Sequence, residues 1–313
     1  MWDQGDSLSH LLRPLRLRGA YVSDWRLRQG WGVRGEREPR ALLHYMLQGS
    51  GVVRITGEPI RYLSAGDLAI FPRGASHTIA EDVNAVPRTI DELLPDREPG
   101  GADVLNLGRG RMVGRMVCAG LDYAPQGEYP LYRTLPNVLI ARSDQIQADP
   151  TMAHTLAGLM SELDEQGSGT HAVLLRIFEM VFVLGLRSTL QAMDPPAPIS
   201  RALAHPSIGR VLIAMYEDYA RPWSIPELAA IAQMSRSAFA IVFKDIVGET
   251  PARHLRLRRL AEARRLIETT SLSQEAIAHR VGYRSAVGLH IAFRQTYDAS
   301  PGSLRGDSAA QVS

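Results

Sequence analysis

The chain has 313 residues, 35 Lys/Arg against 33 Asp/Glu, a formal charge of +2 and 45% hydrophobic residues, the composition of an ordinary globular protein with room for two domains. No apolar run reaches the roughly 18–20 residues of a membrane-spanning helix. Near the N-terminus Leu11, Leu12, Leu15 and Leu17 are interrupted by Arg13, Arg16 and Arg18, which is no secretory leader; a cytoplasmic location without a membrane partner is expected. The single cysteine, Cys118, excludes an internal disulfide and a multi-cysteine metal site. Between Pro206 and Arg305 there are fourteen Lys/Arg against nine Asp/Glu, a formal +5 that leaves −3 for the rest. A basic C-terminal segment beside a mildly acidic remainder suggests a polyanion-binding module joined to something else.

From about residue 20 to 140 the pattern is of short strands between turns. Ala41–Leu47, Val52–Thr56, Ile60–Leu63 and Leu68–Phe71 are separated by Gly49–Gly51, Gly57–Pro59 and Gly66–Asp67, and Pro72–Gly74 closes the run. Such spacing predicts a barrel or sandwich. The stretch Asp82–Gly110, rich in Pro, Gly and Asp, reads as a long mobile loop. After Asp149 the period becomes helical: Leu156, Leu159, Met160 and Leu163 share one face, and Leu174–Leu190 forms a second helix after the Gly167–Gly169 break. Three prolines within Asp194–Pro198 cannot continue a helix, so residues 194–205 read as a linker.

Six helices follow: Pro206–Tyr219, Ser224–Ala232, Arg236–Val247, Pro251–Thr269, Ser273–Val281 and Ser285–Tyr297. Ser224, Ser235 and Ser273 are N-cap candidates, Ser224 with Glu227 at capping-box spacing, and Gly248 and Gly282 are stops. Only Gln233–Ser235 separates the second helix from the third, and only Gly282–Arg284 the fifth from the sixth. Both pairs have the helix-turn-helix layout. Phe239, Val242, Phe243 and Ile246 form a buried stripe on the third helix, and Leu289, Ala292, Phe293 and Tyr297 on the sixth. The opposite faces carry Arg236, Ser237, Ala240, Ile241 and Lys244, and Arg284, Ser285, Ala286, His290, Ile291 and Arg294. Small and polar side chains there allow entry into a major groove.

A single such hairpin would more simply be part of a helical bundle. Two in tandem, with Ser235 and Ser285 fifty residues apart, favour a pair of recognition helices. The connecting helix would span roughly 25 Å and hold them about one B-DNA turn, near 34 Å, apart. It carries Arg253, Arg256, Arg258, Arg259, Arg264 and Arg265, about half of them expected on phosphates and the others in ion pairs or solvent.

This segment resembles the DNA-binding domain of the AraC family of bacterial regulators. The residues that carry the likeness are Trp223, Leu228–Ala229, Met234–Phe239, Phe243–Lys244, Gly248–Pro251, Ile277–Ala278, Gly282–Ser285, Phe293–Arg294 and Ser300–Pro301. The resemblance implies a seven-helix domain binding two adjacent major grooves of promoter DNA. It also exposes a departure, because the family often has arginine where Ile241 and Ile291 stand. An outward isoleucine cannot make arginine's bidentate contact to guanine. Either it packs on thymine methyls, or DNA affinity is reduced.

In the N-terminal half, Gly66-x5-Pro72-x-Gly74-x2-His77 resembles the second cupin motif, with Glu81 in place of the usual Asn. Of the first cupin motif His44 remains, Met46 replaces its second histidine, and no glutamate falls at the expected spacing. Two histidines are too few for a catalytic metal centre, so no metal, cofactor or catalytic residue is expected. The layout, with Val117–Cys118, Pro130–Leu131 and Leu135–Pro136, is similar to the cupin-type sensor arm of one AraC branch. That likeness implies a homodimer that answers to a small-molecule effector or a chemical stress, with His44, His77 and Cys118 as sensor candidates. Cys118 lies in an apolar run, where a buried inert thiol is the simpler reading. The helices near 152–163 and 174–190 suit either a dimer interface or a cover for the barrel.

The predicted fold class is therefore α+β: a cupin-like β-barrel with flanking helices (1–193), a linker, an all-α domain with two helix-turn-helix units (206–305) and a disordered tail (306–313). The corresponding function is a non-enzymatic transcription activator or repressor, with promoter DNA and RNA polymerase as partners. A cupin metalloenzyme with an accessory helical domain would contain bound metal. An interaction protein with weakened DNA binding would fail to shift its own upstream DNA.

Overall fold

The computed structural model describes Ser9, Leu12 and residues 17–94, 102–123, 132–165, 167–194 and 198–304. They form two compact units. One comprises residues 17–123 and 136–194; the other comprises 132–135 and 198–304, with Ser9 and Leu12. Pro130–Leu131, the expected tail at 306–313 and residues 195–197 of the expected linker lie outside the described residues.

The first unit is built on two sheets. The six-stranded sheet has the order β11 (Leu139–Ala141), β6 (Leu68–Phe71), β3 (Ala41–Gln48), β10 (Met112–Asp122), β1 (Arg18–Arg28) and β9 (Ala102–Leu107). The five-stranded sheet runs β5 (Arg61–Ser64), β4 (Ser50–Arg54), β7 (His77–Ala80), β2 (Gly32–Gly35) and β8 (Arg88–Thr89). Pairing is antiparallel except for β1 with β9 and β2 with β8. The strands expected near 41–71 are present to within two residues at each end. The loop expected over Asp82–Gly110 is instead interrupted by β8, a short helix α1 (Ile90–Leu93) and β9. The correction has a physical cause. A parallel edge strand draws its register from a distant partner, here Val22–Leu27 against 102–107, and a local Pro/Gly-rich composition does not encode that pairing.

Trp25, Leu27, Trp31, Met46, Phe71, Met116 and Cys118 belong to the core between the sheets. Asp67, next to the Gly66 turn, accepts from the Ser64 and Ser143 amides and from the Arg142 guanidinium. Its carboxylate thereby joins the β5–β6 turn to the first turn of α2 (Ser143–Ala148). Helices α3 (Pro150–Glu165) and α4 (Thr170–Ala192) follow. Their apolar stripes, Leu156, Leu159 and Leu163 on one and Leu174, Phe178, Val181 and Phe182 on the other, are buried within the unit. α4 lies close to β6 at Gly185, where a Cβ would strike the Ile70 side chain. Covering the sheet is thus one role these helices fill; on α4, Val173 and Met180 remain outside.

The second unit holds a 3-10 turn at Tyr132–Thr134 and seven α-helices among its described residues: α5 (Pro198–Ala204), α6 (Pro206–Glu217), α7 (Ile225–Ala232), α8 (Arg236–Val247), α9 (Pro251–Thr269), α10 (Gln274–Arg280) and α11 (Ala286–Tyr297). The linker reading of 194–205 gives way over α5. Pro198 opens that helix, at a position where a missing N–H costs nothing. Ser224, Ser235, Ser273 and Ser285 each cap the helix that follows, and Ser224 with Glu227 completes a capping box.

The two turns differ by one residue. Met234 N donates to Ala229 O and Tyr283 N to Ala278 O, a 49-residue offset, whereas the caps Ser235 and Ser285 are fifty apart. The first turn reaches its left-handed conformation with Gln233 (φ 57°) and the second with Gly282 (φ 83°), whose missing Cβ leaves room for the Ala220 carbonyl. A left-handed side-chain residue costs about 1 kcal/mol. Gln233→Gly is therefore expected to stabilise the helical unit by up to about 1 kcal/mol, measured by urea denaturation, and a destabilised variant would contradict this.

Candidate nucleic-acid interface and barrel site

Helices α8 and α11 are each anchored by one face. Phe239 and Phe243 are fully buried in an edge-on contact, with Val247 below them. Leu289, Ala292 and Phe293 play the same part in α11, and Phe293 meets the Tyr297 ring edge-on. Val242, Ile246 and Tyr297, expected in these stripes, are half-buried, and Val247 extends the first.

On the opposite faces Arg236, Ser237, Ile241, Lys244, Arg284, Ile291 and Arg294 are exposed, and Ala240, Ser285, Ala286 and His290 are half-buried. Ile241 is 70% exposed and Ile291 52%, so the phase read from the sequence holds for both. One residue escaped that reading. Val287, 67% exposed, lies four residues before Ile291 on the same side of α11. The signal was available, because Val287 lies fifty residues after Ser237, which was assigned outward.

Most of the α9 arginines serve the unit itself. Arg258 stacks on Tyr219 at 4.2 Å and donates to Glu262 at 3.4 Å. Arg265 donates to the same carboxylate at 2.5 and 2.9 Å. Burial alone would raise the Glu262 pKa, but the two guanidiniums outweigh it and hold the carboxyl below its usual range. Arg259 donates to the carbonyls of Tyr219, Ala220, Arg221 and Gly282, clamping the loop before α7 to the turn before α11. Arg264 pairs with Glu268 at 2.7 Å. Arg253 and Arg256 are the two of the six that are exposed.

In the first unit, three sequence candidates meet inside the barrel. His44 and Cys118 are direct cross-strand partners on β3 and β10, with His44 Nδ1 2.8 Å from the sulfur. His44 Nε2 reaches across to His77 Nε2 on the other sheet at 3.0 Å, and His77 Nδ1 lies 2.7 Å from the Ala75 carbonyl. The carbonyl can only accept, so His77 carries its proton on Nδ1. His77 Nε2 then accepts from His44 Nε2–H, and His44 Nδ1 accepts from the Cys118 thiol. One consistent set of neutral tautomers fills the chain. Burial keeps it neutral: it pushes the Cys118 thiol well up and His44 well down, and lowers His77 to about 4 despite the Ala75 bond. Phe71 stacks on His77 at 3.7 Å, and Trp25 lies against His44.

The cupin family model matches residues 6–191, more than half of the chain, and a helix-turn-helix domain model matches 228–307. The transcriptional regulator AlkR of Acinetobacter baylyi is 23% identical over 97% of this chain and 100% of its own length. The regulator MtrA of Neisseria gonorrhoeae is 28% identical over 96% and 98%. The DNA-binding domain of AdpA, solved with a target DNA, is 33% identical over 34% of this chain and 95% of that one, with a TM-score of 0.33. The chain belongs to the AraC family of DNA-binding transcription regulators, with an N-terminal cupin domain.

This AraC-family regulator departs from metal-binding cupins at the centre of its barrel. His44 and His77 direct their Nε2 atoms at each other, and Met46 fills the next inward position of β3. Among the described residues no group of three or more His, Cys, Asp or Glu is placed to hold a metal ion, so a resident metal does not fit this site. No helix among the described residues is long and apolar enough to cross a membrane.

Proposed function

We propose that this regulator acts in the cytoplasm as a homodimer, without enzymatic activity, and sets α8 and α11 into successive major grooves of promoter DNA. Arg236, Ser237, Ala240, Ile241 and Lys244 would face the first groove. Arg284, Ser285, Ala286, His290, Ile291 and Arg294 would face the second. Arg253 and Arg256 supply phosphate contacts from α9, and the bound protein engages RNA polymerase. The observation that carries this reading is the pair of matched outward faces, each with exposed basic side chains opposite a fully buried aromatic anchor. A small effector or a chemical stress is sensed at the Cys118–His44–His77 chain, the polar element that links the two sheets through the barrel core.

The test is a gel shift of the full chain on its upstream DNA at several salt concentrations. Each phosphate contact removed should flatten the slope of log K against log salt by about 0.9. Lys244→Ala and Arg294→Ala, with side chains at the last turn of each recognition helix, are therefore expected to reduce the slope by about that much each and to weaken all sequences alike. An unchanged slope in both would remove these residues from the interface.

A further inference from the structure

Three of the eleven large hydrophobic side chains most exposed among the described residues lie on the outward faces of the recognition helices: Ile241, Val287 and Ile291. Nothing in the fold requires them there. Ile241 stands about 200° around its helix from Phe239 and Phe243, Ile291 about 200° from Phe293 and Val287 about 200° from Leu289, at roughly 100° per residue, and both stripes are complete without them. A solvent-facing helix position ordinarily favours a polar residue.

The neighbours show what this apolar surface faces. In sequence, Ile241 lies between exposed Arg236 and Lys244, with exposed Asp245 one turn after it on the same side of α8; Val287 and Ile291 lie between exposed Arg284, in the turn before α11, and exposed Arg294. Each recognition helix thus carries an exposed apolar centre flanked in sequence by basic residues, with one acid beside it on α8. A phosphate-lined groove fits the ends. The only apolar group that a major groove offers to the centre is the thymine C5-methyl.

Resting on the reading of α8 and α11 as groove-entering helices, we propose that Ile241, Val287 and Ile291 determine sequence preference by packing on thymine methyls. Val287 and Ile291 are one turn apart on one side of α11. That helix can therefore cover two neighbouring methyls, whereas α8, with Ser237 at the position matching Val287, covers one and leaves a hydroxyl for a base edge. The operator is accordingly asymmetric: the half under α11 is richer in thymine than the half under α8. Guanine readout by a bidentate arginine at positions 241 and 291 is absent, so at these two positions specificity depends on methyl contacts.

The experiment uses full-length protein and binding sites selected from a random duplex library, then resynthesised with deoxyuridine in place of thymidine, which deletes only the methyl group. At about 0.8 kcal/mol per buried methyl-sized group, each contacted thymine should weaken binding about fourfold when replaced. The loss is expected to be greater in the α11 half-site than in the α8 half-site. The Ile241→Ala/Val287→Ala/Ile291→Ala protein should bind thymine and uracil duplexes equally, and Ile241→Val should retain most of the discrimination. Alanine at exposed helix positions leaves the fold intact, which circular dichroism verifies.

Specific, salt-dependent binding by the wild type with equal affinity for thymine and uracil duplexes would overturn the methyl contact and leave the DNA-binding reading standing. A triple variant that keeps wild-type discrimination but changes oligomeric state would assign the patch to a second copy of the chain and overturn the proposal. Absence of any selected sequence, with Lys244→Ala binding as weakly as wild type, would overturn both.

Discussion

Glu262→Ala is expected to unfold the helical unit at a temperature well below the rest of the chain. Glu262 is 8% exposed, and the two guanidiniums it serves, Arg258 and Arg265, are 3% and 8% exposed. Two cations share one carboxylate, so deleting it takes an ionic partner from two guanidiniums in a poorly solvated place. Removing one partner of a buried ion pair costs about 3–5 kcal/mol, far more than the pair itself contributes over an apolar substitute. For a unit of about a hundred residues, each kcal/mol is worth about 4–8 °C, so a drop of at least about 12 °C is expected. Calorimetry of the full chain should show it as an early transition accompanied by loss of DNA binding. Glu262→Gln, whose carbonyl still accepts one guanidinium hydrogen bond, should lose about half as much. A Glu262→Ala protein that melts within 2 °C of wild type would show that the burial of Arg258 and Arg265 does not depend on this carboxylate.

That network illustrates the limit of reading α9 from its sequence. Glu262 and its arginine partners fall at i,i+3 and i,i+4 spacings, which mark pairing but not depth. Only packing against α6 and the loop after it decides that Arg258, Arg259 and Arg265 face inward. Local signals fared better. The caps at Ser224, Ser235 and Ser273, the capping box and the outward phase of Ile241 and Ile291 all depend on a few neighbouring residues, and all were legible. Helix α5 was missed because its proline, a breaker inside a helix, is neutral as the first residue. β9 was missed because its partner lies some eighty residues earlier in the chain. The barrel site falls between these cases. His77 follows from a local glycine-proline motif, and His44 and Cys118 were each singled out. Their meeting depends on β10 pairing with β3 and on one sheet packing over the other, which no spacing between residues 44, 77 and 118 encodes.

The same meeting gives the sensor unit an expected pH profile. An unfolded histidine titrates near 6.5, whereas folded His77 titrates near 4 and His44 well below its ordinary value. Above pH 6.5 both rings are neutral folded or unfolded, and their contribution does not vary. Below pH 6.5 the unfolded chain takes up protons that the barrel refuses, so stability is lost progressively as pH falls toward 4. For His77 alone the loss amounts to about 3 kcal/mol across that window. Urea denaturation followed by tryptophan fluorescence between pH 7.5 and 4.5 should show it. A His77→Gln protein, which lacks the titrating ring, should fall off less steeply over the same range. Parallel slopes in the two proteins would mean that carboxylates account for the acid sensitivity. Protonating His77 at Nε2 would require His44 to move its own proton from Nε2 to Nδ1, where the Cys118 sulfur, a weak acceptor, would receive it. A proton is thus excluded from the chain across the neutral range. A signal that breaks the link there must act by displacing a side chain or altering Cys118, since acidification within that range leaves the rings neutral.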